Sequence, residues 1–134
     1  MKKIILIVED LSEEIEKAKT AVIAKGFKVV VASNLEKAFQ LIETIPVSGV
    51  ITDLHFPERD GHQKADNPCG LAVVTRAIIK KLPVTICSNI DHHFALYLKT
   101  VMEDMRVITG QAIHFTMDSK DWEKAIIELE KIIQ

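Results

Sequence analysis

Short unbroken apolar runs alternate along the chain with longer stretches in which apolar residues recur every three or four positions. The first run, over residues 3 to 8 with its apolar core Ile4-Ile5-Leu6-Ile7-Val8, predicts a strand covered on both faces. Ser12 then reads as the N-cap of a first helix, with Glu13 and Glu14 in the first turn, where the helix dipole favours acids. Ile15, Ala18 and Val22 form its apolar stripe, and Gly26 ends it. Phe27 to Ala32 predicts a second strand; Asn34 caps a second helix with the stripe Leu35, Ala38, Ile42 and Ile45, which Pro46 stops. The third strand is carried by Gly49-Val50-Ile51-Thr52 and ends in Asp53.

Residues 57 to 70 are polar and rich in Pro, Gly, Asp and Asn, a connection too long for an ordinary strand-to-helix turn and expected to be functional or mobile. A third helix with Leu71, Val74 and Ile78 on one face ends at Lys80-Lys81, before Pro83. Val84-Thr85-Ile86-Cys87 predicts the fourth strand, delivering Ser88 and Asn89 to its end. Asp91 reads as the cap of a fourth helix marked by Phe94, Leu98, Val101 and Met105. Residues 106 to 111 read as either a loop or an extra short strand. Ala112 to Met117 predicts the fifth strand, and Ser119 or Asp118 is expected to cap a last helix that turns Trp122, Ala125, Ile126, Leu129, Ile132 and Ile133 inward.

Five successive strand-helix units imply an α/β fold: a doubly wound parallel sheet with helices on both faces. The flavodoxin-like order 2-1-3-4-5 fits that count and sets the ends of strands one and three side by side. The length of 134 residues suits a single domain, and with the chain ending on its last helix no output domain is expected. A net charge of -2 gives no basic field for nucleic acid, so direct DNA binding is not expected. Cys69 and Cys87 lack CxxC spacing, which suggests free thiols in a reducing cytoplasm. Glu9 and Asp10 cut off the first apolar run too early for a signal peptide or a membrane span.

That strand order changes the meaning of three acids. Glu9 and Asp10 follow strand one directly and Asp53 follows strand three, so the fold gathers three carboxylates at one sheet edge. Their repulsion raises their pKa values unless a cation sits among them, and a hard, oxygen-preferring ion such as Mg²⁺ suits the set. The histidines His55, His62, His92, His93 and His114 are expected to be solvated, since the neighbours His92 and His93 point different ways on a helix. An Asp-x-His motif of the cobalamin-binding kind is not sustained by Asp53-Leu54-His55, because Glu58 stands where the glycine should follow.

With Ile-Leu-Ile-Val-Glu-Asp at 5 to 10, Val-Ile-Thr-Asp-Leu-His-Phe-Pro at 50 to 57, Asp60-Gly61, and Pro-Val-Thr-Ile-Cys-Ser at 83 to 88, the chain resembles the receiver (response-regulator) domain of bacterial two-component signalling. The resemblance implies that Asp53 accepts a phosphoryl group from a phosphohistidine on a sensor histidine kinase or phosphotransfer protein. It implies that Glu9 and Asp10, with Asp53, hold Mg²⁺, and that Ser88 moves to bond the phosphoryl group. A downstream protein partner would read the switched surface, which in receivers also serves homodimers. The protein would serve as an acceptor and not as an enzyme.

Three departures accompany the resemblance. The lysine usual at the end of strand five is matched in count by Asp118; Lys120 lies two residues on and reaches the site only through a bulge or a shifted register. Gly70 lies nine residues beyond Gly61, lengthening the loop if Gly70 is the glycine that precedes helix three. The segment from Ser88 to Phe115 is also long, altering the surface around helix four and strand five. Lys120 in the site supports phosphoryl transfer; Asp118 in its place supports a degenerate receiver that binds protein without being phosphorylated.

Overall fold

In the computed structural model the described residues are 2–61, 68–88, 92–110, 113–116 and 120–133; of 92–99 and 113–116 the backbone alone is described. The elements alternate throughout. They run β1 (Ile4–Val8), α1 (Ser12–Ala24), β2 (Lys28–Ala32), α2 (Leu35–Thr44), β3 (Gly49–Thr52), α3 (Gly70–Ile79), β4 (Val84–Cys87), α4 (His92–Thr109), β5 (Ile113–Thr116) and α5 (Trp122–Ile132). All strand pairs are parallel. The order β2-β1-β3-β4 is flavodoxin-like, and β5 extends the sheet beyond β4.

Alternation within the strands divides the core. On β1, Leu6 and Val8 face one layer with Val50, Ala38, Ile42, Val73, Val74, Ala77 and Met102, drawing α2, α3 and α4 onto that side. Ile5 and Ile7 face the other, with Ile51, Cys87, Ala18, Val22, Trp122, Ala125, Ile126 and Leu129, so α1 and α5 cover the opposite side. A sheet buried on both faces disfavours charged side chains along its length; among the described residues the buried polar side chains within its strands are the hydroxyls Thr52 and Thr85, and Glu9 and Asp53 stand just past the strand ends. Cys69 and Cys87 are both buried and fall in different layers, so they are not joined to each other. Among the described residues no helix is long and apolar enough to cross a membrane.

Several local expectations are corrected. Ser12 is the first helical residue of α1 and not its cap; Leu11 holds the N-cap position and makes no side-chain bond. Just ahead of the helix, Glu9 Oε2 accepts the N–H groups of Asp10 at 2.8 Å and Leu11 at 3.5 Å. Residues 106 to 109 are neither loop nor strand: α4 continues through Thr109, and Gly110 follows with φ +70. The β-branched Val107 and Ile108 suggest a strand by propensity, but the helix that carries the stripe of Val101, Met102 and Met105 runs on past it and leaves both residues exposed. Asp121, not Ser119 or Asp118, caps α5, its carboxylate accepting the Lys124 N–H at 3.0 Å. Asp118, Ser119, Asn89 and Asp91 lie outside the described residues.

Residues 57 to 60, at the start of the long connection, are fixed. The carbonyls of Pro57 and Glu58 accept the Leu35 and Glu36 N–H groups at 3.1 and 2.9 Å, and Asn34 Nδ2 donates to Asp60 Oδ1 at 2.7 Å. The first turn of α2 thereby satisfies its free donors with the loop that follows Asp53. Residues 62–67 lie outside the described residues.

Candidate functional site

The site begins where the apolar strands run out. Val8 pairs level with Thr52, so the residues that follow, Glu9 and Asp53, emerge beside each other at the carboxyl edge of the sheet. The Asp53 N–H donates to Val8 C=O at 2.8 Å, carrying the strand pairing one step past β3. Thr52, fully buried, donates its hydroxyl to the Asp53 carbonyl at 2.8 Å. Sequence reasoning missed that role; the signal was a hydroxyl inside an otherwise apolar strand. On the next strand Thr52 lies level with Ile86, which sets Ser88 at the same edge, 2% exposed.

Each acid has a defined setting. Glu9 is fully buried, and Asp53 is 3% exposed with its Oδ1 accepting the Leu54 N–H at 2.8 Å. Oxygens of Glu9, Asp10 and Asp53 lie within 4.8 Å of one another, the one group of three or more potential metal-ligating side chains among the described residues. The donors are all carboxylate oxygens, a set that suits a hard divalent cation.

Lys120 joins the acids from the far side. Its Nζ donates to Glu9 Oε1 at 2.5 Å and to Asp53 Oδ2 at 3.2 Å, with its side chain 9% exposed. It enters from the residue before the Asp121 cap of α5 and not from the end of β5 at Thr116. Burial first, then the charge of Asp53, push the Glu9 carboxyl from 4.5 up to about 7, against the pull of Lys120. Burial pulls Lys120 down, but its hydrogen bond to Glu9 and the charges of Asp53 and Glu9 outweigh it, leaving the ammonium above its usual range.

The opening of α3 closes the floor. Gly70 donates its N–H to Leu54 C=O at 2.8 Å, and a Cβ there would stand 2.2 Å from the Asp53 carbonyl oxygen. Only a residue without a side chain lets α3 approach the backbone that carries Asp53. Gly61, at φ +81 with open space around it, serves the turn alone.

No family model matches the chain, and no curated protein does. Solved structures do. A response regulator receiver protein from Pseudomonas putida is 19% identical with TM-score 0.64, covering 98% of this chain and 97% of that one. The response regulator TrrA from Thermotoga maritima, solved in complex with Mg²⁺-BeF, is 19% identical with TM-score 0.68, over 98% and 99% of the two chains. A de novo designed Rossmann 2x3 protein also matches, at 14% identity and TM-score 0.63 over 98% of this chain and 90% of its own, so the likeness measures architecture and not chemistry. The chain has the fold of response regulator receiver domains.

Proposed function

We propose that this protein is a signalling receiver that takes a phosphoryl group on Asp53 and thereby alters a surface read by a protein partner. The observation that carries the reading is the Lys120 ammonium, bonded to both Glu9 and Asp53. A buried cation at the acceptor carboxylate supports transfer, because phosphoryl transfer depends on positioning and on cancelling charge at the phosphoryl oxygens. A degenerate receiver has no need of that cation.

In the proposed step a carboxylate oxygen of Asp53 attacks phosphorus in line, and the P–N bond to the histidine of a sensor kinase or phosphotransfer protein breaks. The imidazole, already protonated by solvent on its other ring nitrogen, keeps the P–N electron pair and leaves neutral. Glu9, Asp10 and Asp53 would hold Mg²⁺, which supplies further neutralisation of the phosphoryl oxygens. Lys120 is poised to shift from the Asp53 carboxylate to an added phosphoryl oxygen, and the Ser88 hydroxyl, at the same edge, is a second donor. The added charge and acceptor oxygens then reorder neighbouring loops. The protein acts as acceptor and turns over no separate substrate.

The test is intact mass after incubation with Mg²⁺ and acetyl phosphate, beside Asp53→Asn. A single phosphoryl adduct, lost in the variant, is expected. A folded sample that binds Mg²⁺ and gains no mass would refute the phospho-switch for this donor and leave an unphosphorylated protein-binding module in its place.

A further inference from the structure

All strands run the same way and each of α1 to α4 runs back between two of them, so strand starts and helix ends meet at the amino edge of the sheet, at the far end of the strands from Glu9 and Asp53. Exposed apolar side chains gather there. Of the six large apolar residues that stand exposed among the described residues, four lie in the last turn of a helix: Ile23 in α1, Ile79 in α3, and Val107 and Ile108 in α4. Val107 and Ile108 are 84% and 81% exposed. Their exposure follows from helix length: the 18 residues of α4 span about 27 Å, whereas the 4 residues of β4 or β5 span about 13 Å. The helix therefore overhangs the sheet, and residues 106–109, all exposed, form the overhang. Positive charge shares this face. Lys2 and Lys3 precede β1, Lys25 follows α1, Lys28 opens β2, Lys81 follows α3 and Arg106 lies in the last turn of α4, all of them exposed. Register joins the two edge strands here, Ile4 pairing with Lys28 and the Lys28 N–H donating to Lys3 C=O at 2.9 Å. The face also carries acids: Glu130 near the end of α5, and Glu43 near the end of α2, which is bonded to Lys80 at 2.9 Å and lies 3.8 Å from Arg76.

We propose that the amino edge is a docking face for an anionic lipid bilayer. Aliphatic side chains on helix ends enter the boundary between headgroups and acyl chains, while the lysines beside them meet lipid phosphates and carboxylates. The contact is peripheral and needs no spanning helix. The make-up of the face favours lipid over nucleic acid. Its exposed apolar groups are aliphatic, whereas strand binders offer aromatic rings for bases to stack on, and its cations are mostly lysine, without the forked guanidinium that reads guanine edges. The groups are also spread over the ends of α1, α3 and α4 and the starts of β1 and β2, so a broad flat partner touches them together. Charge polarity adds orientation to the fit. The chain carries a net charge of -2, with Glu9, Asp10 and Asp53 at the opposite edge, so an anionic surface attracts the lysine face and repels the carboxylates. The docked protein therefore presents its carboxylate edge to solution, where a protein partner reaches it. This inference stands apart from the phosphoryl reading of Asp53 and does not depend on it.

The test is co-sedimentation of the full chain with vesicles of phosphatidylcholine alone, or of two parts phosphatidylcholine to one part phosphatidylserine, at low and at high salt. Saturable binding to the mixed vesicles at low salt is expected, about tenfold or more weaker at high salt, with none to phosphatidylcholine alone. Lys25→Gln with Lys28→Gln should weaken binding about tenfold or more, and Val107→Ser with Ile108→Ser about fivefold or more. All four positions are exposed, so both double variants should keep the wild-type circular dichroism and unfolding midpoint. Absence of binding to the mixed vesicles overturns the proposal, as does binding that neither double variant weakens. Tighter binding to a DNA duplex than to the mixed vesicles at the same salt overturns it in favour of nucleic acid. A lipid-free dimer in sedimentation velocity that Val107→Ser with Ile108→Ser abolishes overturns it in favour of a second copy of the chain.

Discussion

Glu9 should make the metal-free protein less stable as pH rises through neutrality. Burial and the Asp53 charge hold its carboxyl at about 7 in the folded state, against 4.5 for an unperturbed group. Between those values the folded protein keeps a proton that the unfolded chain has released. The stabilisation is therefore complete below about 4.5, falls with rising pH and is gone above about 7. A displacement from 4.5 to about 7 is worth about 3 kcal/mol, a large share of the 5–15 kcal/mol typical of a domain. Lys120, raised above its usual range, stays charged throughout this window and adds no slope of its own. The assay is urea unfolding from about pH 5 to about pH 8.5 in a chelator, comparing wild type with Glu9→Gln, which keeps the shape of the protonated acid. Relative to the variant, wild type is expected to lose on the order of 3 kcal/mol across the range. A difference that stays flat, or moves in favour of wild type as pH rises, would refute the reasoning. Millimolar Mg²⁺ should stabilise wild type increasingly with pH, because the ion needs Glu9 ionised.

Two backbone positions give further checks. Gly70→Ala forces a Cβ to within 2.2 Å of a carbonyl oxygen that cannot swing aside, so it is expected to cost about 3 kcal/mol or more in urea unfolding, whereas Gly61→Ala, strained only by φ +81, costs about 1 kcal/mol. Equal costs would mean that α3 does not depend on that close approach. Lys81 adopts φ 57 just past α3, with its own N–H on Ile78 C=O and the Leu82 N–H on Ala77 C=O, the same closure that Gly26 provides after α1. Lys81→Gly should therefore raise stability by about 1 kcal/mol, read as an increase in melting temperature of a few degrees.

Where the sequence was legible, two independent signals coincided. The strands of the sheet centre announced themselves because apolar runs of β-branched residues ended in acids, and burial on both faces leaves few other uses for such runs. Asn34 was readable as a cap because its carboxamide accepts a bond within its own helix, from Lys37 N–H at 2.7 Å. Ser12 misled because hydroxyl residues favour the N-cap position, whereas the helix here begins one residue earlier, with Leu11 at the cap. Residues 106–109 misled because β-branched propensity is a weak signal: α4 runs on through Thr109 with all four residues exposed. Gathering Glu9, Asp10 and Asp53 required only strand order. Lys120 was harder. Counting along the chain offers Asp118 at the expected place, and nothing local reveals that the lysine enters ahead of a helix cap rather than from a strand end.

The site concentrates everything that the rest of the molecule avoids. Two apolar layers leave the sheet with hardly any polar side chain along its length, yet at one edge a fully buried glutamate, a nearly buried aspartate and a buried lysine stand within bonding distance. Replacing such a group by packed apolar residues commonly stabilises a protein, so fold stability does not account for it. Glu9 and Asp53 share one lysine partner, and each acid lies a short covalent path from a helix start. On the Asp53 side that route is the loop whose carbonyls bind the first turn of α2; on the Lys120 side it is the cap of α5. On the proposed function, a change of charge at the carboxylate cluster has a covalent path to both layers of the fold. A domain built for stability alone has no use for a buried glutamate beside an ammonium, and that pairing is the physical argument for the proposed switch.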